Sequence, residues 1–160
     1  MTLDSVDGRI VQALAADARQ PVASLARELG LSAPSTAERI RRLEDMGVIR
    51  GYRAEIDPQA LGLPIAAWLR IKPVPGALKT VVGVLQNIDA IVSCDRITGE
   101  DCFIARAHVA SVQELEVLID RILPHASTNT SIIQSAPVPA RLPAFSTTPL
   151  PRRRAGGQDG

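Results

Sequence analysis

Aromatic residues are scarce in this chain: one Trp, one Tyr and two Phe among 160 residues. The mean hydropathy of +0.10 therefore comes from Ala, Val, Ile and Leu, and no run approaches the roughly 18 apolar residues of a membrane-spanning helix. Cysteine is nearly absent too, with Cys94 and Cys102 able to form one bridge at most; a disulfide scaffold is excluded, and the pair reads as a small core residue and a loop-edge thiol. The two histidines, His108 and His125, stand at no metal-ligand spacing from these cysteines, so no metal site is expected. No phosphate-cradling Gly loop, Ser/His/Asp set or Cys/His pair appears, and no cofactor is implied. The start, Met1 to Asp7, is acidic where a secretory leader is basic and then apolar; a cytoplasmic location without membrane partners is the expectation.

Charge of one sign is also lacking, since the formal net charge is +1. Its distribution is uneven. Residues 1–57 hold 8 Arg and 9 acids, residues 58–137 hold 6 basic and 7 acidic side chains, and residues 138–160 hold 4 Arg and 1 acid. Within the first block, residues 32–53 place five arginines against Glu38, Glu44 and Asp45, a local excess of +2, and so mark one segment for a polyanion.

Apolar residues Leu3, Val6, Ile10 and Leu14 recur at helical spacing, with Asp4 and Asp7 at the end where a helix favours carboxylates. Arg19-Gln20-Pro21 interrupts this first helix. Val22, Leu25, Ala26 and Leu29 mark a second that Gly30 stops, and Ser32 caps a third, with Pro34 in its first turn and Gly47 at its end. Val48 to Asp57 reads as two short strands around Gly51, a small wing. Pro58 to Pro64 is the expected linker, with a helical turn.

Beyond it the pattern alternates: strand 65–72, helix 77–88, strand 91–97, a tight connection 98–101, strand 102–109, helix 112–123 and strand 128–135. This βαββαβ order is the ferredoxin-like split arrangement, with both helices on one face of a four-stranded antiparallel sheet. If Ile97 pairs with Cys102, then Val92, Cys94, Phe103, Ala105 and Ala107 face the helices, and Ile91, Ile97, Ile104 and His108 face away. Covering that second face by a second copy is the economical way to bury its isoleucines, a partly solvated face being the alternative. The expected class is α+β, divided into residues 1–57 (winged helix-turn-helix), 58–64 (linker), 65–137 (βαββαβ) and 138–160, a Pro/Gly-rich, Arg-bearing tail without structure of its own.

Leu25 to Ser32 has helix-turn-helix spacing, with small Ala26 at the crossing. In the third helix Ala37, Ile40 and Leu43 share a packing side with Thr36, whereas Ser35, Glu38, Arg39 and Arg42 share the other, flanked by Arg41. Such a helix fits the major groove of double-stranded DNA: Arg donates pairwise to guanine, and Ser, Thr or Glu reach other base edges or phosphates. Ser32, Pro34, Ser35 and Thr36 form its N-terminal turn beside phosphate oxygens, and Arg50 and Tyr52 belong to the wing. A solvated charged face is the plain structural alternative.

These residues resemble the Lrp/AsnC family of transcription regulators. The carriers are Leu3 to Ile10, Leu29 to Glu44, and Gly47-Val48-Ile49-Arg50-Gly51-Tyr52, and the similarity spans residues 3–137. It implies a winged helix-turn-helix joined to a regulation-of-amino-acid-metabolism domain, homodimers that stack in many members into octamers, and a small-molecule effector, an amino acid, bound between dimers. In the family the effector lies near the loop joining the second and third strands, here Thr98-Gly99-Glu100-Asp101-Cys102-Phe103. Many members show Gly-Asp-aromatic-Asp-aromatic there; this chain keeps Gly99 and an acid at Glu100, but has Asp101 and Cys102 at the next two positions. Glu100 and Asp101 suit an ammonium group and Thr128 and Thr130 a carboxylate; a simple polar turn is the alternative. Sirohaem decarboxylases resemble the same two-domain fold, and that enzymatic reading needs a pocket with histidine, for which His108 is the candidate. A ligand-binding module without DNA contact leaves Arg39 and Arg42 without a purpose.

Overall fold

The computed structural model describes residues 3–147. These divide into two compact units, residues 3–54 with 140–147, and residues 55–139.

The first unit holds three helices. Helix α1 (Ser5–Ala16) begins in a capping box, in which the Asp4 carboxylate accepts from the Asp7 N–H at 2.8 Å and the Asp7 carboxylate accepts from the Asp4 N–H at 3.3 Å. Helix α2 (Val22–Leu29) stops at Gly30, whose φ of 69° suits glycine best. Helix α3 (Ala33–Asp45) is capped by Ser32, whose hydroxyl accepts from the Ser35 N–H at 3.3 Å. Ile10, Leu25 and Leu43, one from each helix, are fully buried at the centre.

The expected wing does not form: residues 46–57 contain no strand. The N–H groups of Val48 and Ile49 instead donate to the Leu43 carbonyl at 2.9 and 3.1 Å, satisfying the end of α3 and leaving the segment unpaired for a hairpin. The tail also departs from expectation. Residues 140–147 pack on α1, where a Cβ placed on Gly8 would overlap Cγ2 of Thr147 and lie 3.5 Å from Cε2 of Phe145. The remainder of that segment, including Arg152 to Arg154, lies outside the described residues.

In the second unit a 3-10 turn (Gln59–Leu61) leads into strand β1 (Ile65–Pro73), then α4 (Leu78–Gln86), β2 (Ile91–Arg96), β3 (Phe103–Val109), α5 (Val112–Ile122) and β4 (Ala126–Ile132). All pairs are antiparallel and the sheet order is β2-β3-β1-β4. Strand β4 starts two residues earlier than the alternation suggests, because the His125 N–H closes α5 on the Ile122 carbonyl and its own carbonyl accepts from Val74. Leu69 and Ile71 of β1, Phe103 and Ala105 of β3, Val81 and Leu85 of α4, and Leu118 and Ile122 of α5 form the core.

Ile97 does pair with Cys102, its N–H donating to that carbonyl at 2.9 Å. Two side-chain assignments, those of Ile91 and Val92, nonetheless invert. Ile91 stands opposite Ala107 and Ser93 opposite Arg106, so Val92 is the extra residue of a β-bulge. Ile91 consequently packs into the core, and Val92 is 58% exposed. The open face carries Trp68, Ile104, Arg106 and His108, with the Arg106 guanidinium 5.8 Å from the centroid of the Trp68 ring. Cys94 and Cys102 are free thiols; burial, then the charge of Asp95, pushes the Cys94 thiol above its ordinary pKa.

Leu69→Ala should lower unfolding free energy by about 2–5 kcal/mol, since this side chain is fully buried. Val92→Ala should change it by less than about 0.5 kcal/mol; urea denaturation of the two variants checks both.

Candidate nucleic-acid interface and ligand loop

The turn from α2 through Gly30 into α3 leaves Ser32, Pro34, Ser35, Glu38 and Arg41 exposed on the outer side of the third helix. Arg41 donates to Glu38 at 2.8 Å, both side chains being well hydrated. Thr36 does not join them. It is fully buried, and its hydroxyl donates to the Ser32 carbonyl at 3.0 Å; its short side chain turns inward beside Leu43 and holds the first turn of α3 together.

Arg39 and Arg42 are engaged within the unit. Arg39 Nη1 donates to Asp4 Oδ2 and Asp7 Oδ1, each at 2.7 Å, and Arg42 Nη2 donates to Asp7 Oδ2 at 2.5 Å. The Asp7 side chain is 1% exposed, whereas those of Arg39 and Arg42 are 29% and 50% exposed. A carboxylate removed from water needs donors on both oxygens, and Asp7 obtains them from α3 and from the Asp4 N–H. Arg39 and Arg42 thus tie α3 to the start of α1 while each keeps part of its guanidinium side chain in solvent. The sequence signal was present, since Asp4 caps α1 and Asp7 lies in its first turn, but the sequence separation of 32 between Asp7 and Arg39 hides the pairing.

The Asp4–Arg39 ion pair raises the guanidinium pKa, and the carboxyl of Asp4 lies below its ordinary value, first because the Asp7 N–H donates to it and then because Arg39 does. Arg50 follows on the exposed segment after α3 and, with Val11, Leu14, Tyr52 and Leu142, lines a cleft of about 540 Å³. Tyr52 turns back on α3: its hydroxyl donates to Glu44 at 2.7 Å, and its pKa is pushed up to about 12, by loss of hydration first and by Glu44 second.

In the second unit Thr98, Gly99, Glu100, Asp101 and Cys102 form the β2–β3 connection, with Gly99 at a φ of 117° that favours glycine. The Cys102 N–H donates to the Ile71 carbonyl at 3.0 Å, and Asp101 stands 3.7 Å from Arg70. Thr128 pairs with Ile71, which also pairs with Phe103, so Thr128 lies at the same end of the sheet as the loop, two strand spacings or roughly 10 Å away. Thr130 lies deeper, opposite Leu69, on the side covered by helices, and its buried hydroxyl has no partner. The loop and Thr128 are brought to one sheet end; Thr130 follows Thr128 by two residues on the same helix-covered face, one step further from the loop. Arg70, beside Asp101, escaped the sequence reading because it occupies an ordinary outward strand position. So did a cleft of about 650 Å³ between α4 and β2, whose lining includes Leu85, Ile88, Phe103, Asp89 and Arg96.

His108 lies on the open sheet face. Burial, then neighbouring Arg106, lowers its pKa, partly offset by a bond to the Leu63 backbone. Among the described residues no group of three or more His, Cys, Asp or Glu stands close enough to hold a metal ion, and no helix is long and apolar enough to cross a membrane.

Because the Asp4 pKa is depressed in the folded state, its contribution is present above the unfolded value and is lost as pH falls through the folded one. Acid should therefore weaken the first unit below about pH 4, and Asp4→Asn should flatten that loss; tryptophan-independent helix signals followed by circular dichroism across the acid range would show no difference if the pairing were idle.

Residues 3–44 match the model of the AsnC-type helix-turn-helix domain, and residues 66–143 that of the Lrp/AsnC ligand binding domain. The chain is 37% identical over 129 residues to the transcriptional regulator LrpA of Mycobacterium tuberculosis, covering 80% of this chain and 86% of that one. With LrpC of Bacillus subtilis it shares 33% over 135 residues, covering 84% and 94%; the structure of LrpC superposes with a TM-score of 0.81, at 85% and 97% coverage. A feast or famine regulatory protein of M. tuberculosis, solved in complex with L-methionine, superposes with a TM-score of 0.81 at 34% identity, covering 87% and 97%. These relatives are transcriptional regulators and not enzymes. A helix-turn-helix fixed by the Asp7 clamp, a split βαββαβ sheet and relatives matched along both units lead to one conclusion: the chain belongs to the Lrp/AsnC family of transcription regulators.

Proposed function

We propose that the outer side of α3 reads double-stranded DNA, with Ser35, Glu38 and Arg41 toward base edges and Ser32 and Pro34 beside the phosphates. The observation that carries this is the α2–Gly30–α3 turn, which leaves those side chains exposed on one side, as docking of a recognition helix in the major groove requires. Arg39 and Arg42 contribute chiefly by fixing the angle of α3 through Asp7, their remaining N–H groups being available to phosphate. Arg50 and Tyr52, without a hairpin beneath them, follow the helix as a flanking contact.

The second unit takes an amino-acid effector at the β2–β3 loop, where Glu100 and Asp101 meet the ammonium group and Thr98, the backbone of Gly99 and Cys102, and Thr128 supply donors or walls. The L-methionine complex of a 34% identical neighbour supports this ligand class. The open sheet face, with Trp68 37% exposed and Ile104 beside it, suits a homodimer that stacks further into an octamer. Two α3 helices then read half-sites one helical turn, or a multiple of it, apart. Effector binding favours one spacing of the reading helices over another and so shifts operator affinity. The protein acts in the cytoplasm, where such DNA is found.

Arg41→Ala and Ser35→Ala should each weaken binding to DNA fragments that co-purify with the protein by about 1–3 kcal/mol; anisotropy titrations unchanged by both would remove α3 as the reading element. Titration calorimetry with L-methionine and other apolar amino acids should give a saturable heat that Asp101→Ala diminishes, and heats identical in the two proteins would sink the loop assignment.

A further inference from the structure

Inside a helix alanine is preferred to glycine, which loses more conformational freedom and packs nothing. Helix α1 nevertheless carries Gly8, and buries it. On the helical wheel Gly8 stands with Gln12 and Ala15 on the side roughly opposite Ile10, the α1 residue at the centre of the three-helix core. Its cover comes from elsewhere in the chain. The atoms nearest a Cβ placed at this position are Cγ2 and Cβ of Thr147 and Cε2 of Phe145, and the Thr147 methyl would overlap it.

These two residues end a strap. After the second unit the chain returns to the first at residue 140, and Leu142 to Phe145 run beside Gln12, Ala15 and Ala16 of α1. Phe145 and Thr147 are half-buried, whereas Ala144 and Ser146 are exposed. That period of two is the alternation of an extended chain, with Phe145 and Thr147 turned onto the helix. Glycine at position 8 is what lets the strap lie so close.

The seat is on the turn that carries the clamp. The Gly8 N–H donates to the Asp4 carbonyl at 3.0 Å, closing the first turn of α1, and this turn presents both carboxylates to α3: Asp4 to Arg39, and Asp7 to Arg39 and Arg42. Charge-assisted bonds depend on placement, so displacement of the turn displaces the partners on α3. We propose that Phe145 and Thr147 are positioning residues for DNA reading: seated on Gly8, they hold the first turn of α1, and through its carboxylates the orientation of α3. Neither residue touches DNA in this scheme. The inference rests on the reading of DNA by α3 and adds a determinant more than 100 residues away in the chain.

The test uses the full chain, a duplex that the parent selects from a random-sequence pool, and a mixed-sequence duplex of equal length. Gly8→Ala favours the helix but evicts the Thr147 methyl; Phe145→Ala empties the other half of the seat. Each should weaken binding to the selected duplex about tenfold, with affinity for the mixed duplex within about twofold and the salt slope unaltered, because no charge is lost. Amide hydrogen exchange should quicken over residues 4–8 and 33–42 in both variants. The double variant G8A/T147A, in which one methyl replaces the other, should recover the selected duplex to within about threefold of the parent. Single variants that bind the selected duplex like the parent overturn the positioning role, as does an equal loss on both duplexes, which marks a general effect on the fold. A double variant no better than Gly8→Ala overturns the seat on Thr147. A parent chain that selects no sequence overturns reading by α3 itself, and this inference with it.

Discussion

A carboxylate shut away from water must find its donors inside the protein, and Asp7 finds them on two elements at once. Its oxygens receive the Asp4 N–H, Arg39 and Arg42, so α1 and α3 are fixed together at a single point. Buried ion pairs add little net stability compared with apolar packing, yet breaking one side is costly. The gain is geometric. Ile10, Leu25 and Leu43 pack the three helices together, and the clamp ties α3 to the start of α1 with Ser35, Glu38 and Arg41 left exposed. Recognition by a helix-turn-helix depends on that angle, because a groove-reading helix turned by part of a turn presents a different set of side chains.

The second unit obeys a different constraint. Two helices cover one face of a four-stranded sheet, and alternation along β1 and β3 divides side chains between the core and the open face. The bulge at Val92 breaks that alternation on the edge strand only, moving Ile91 into the core and leaving Cys94 still opposite Ala105. The open face keeps its apolar and cationic mixture of Trp68, Ile104 and Arg106. The loop after β2 stays at the sheet end, pinned by the Cys102 N–H on Ile71. A ligand meeting this loop would act on the central strand β1 directly.

Much of the architecture was legible in the chain itself. Asp4, Gly30, Ser32 and Gly47 marked the limits of the helices because capping and left-handed turns are local events, decided within four or five residues. The βαββαβ order followed from periodicities of apolar residues, and the loop at Thr98 to Asp101 from its Gly and acids. The side chains on α3 were legible only in part: periodicity separated the packing side from the outer side, but Thr36 sits at the border, and whether a border hydroxyl turns inward depends on which carbonyl it meets.

By itself, then, the sequence determined the elements, their order and their hydrophobic faces, since these rest on contacts between near neighbours. Only the tertiary structure decided that Arg39 and Arg42 hold Asp7, that Ile91 turns inward, that residues after Gly47 bond to Leu43 in place of forming a wing, and that Phe145 and Thr147 lie against α1. Each of these joins groups distant in the chain or competing for the same donors, and such competition is resolved by three-dimensional proximity and desolvation, which no local pattern records.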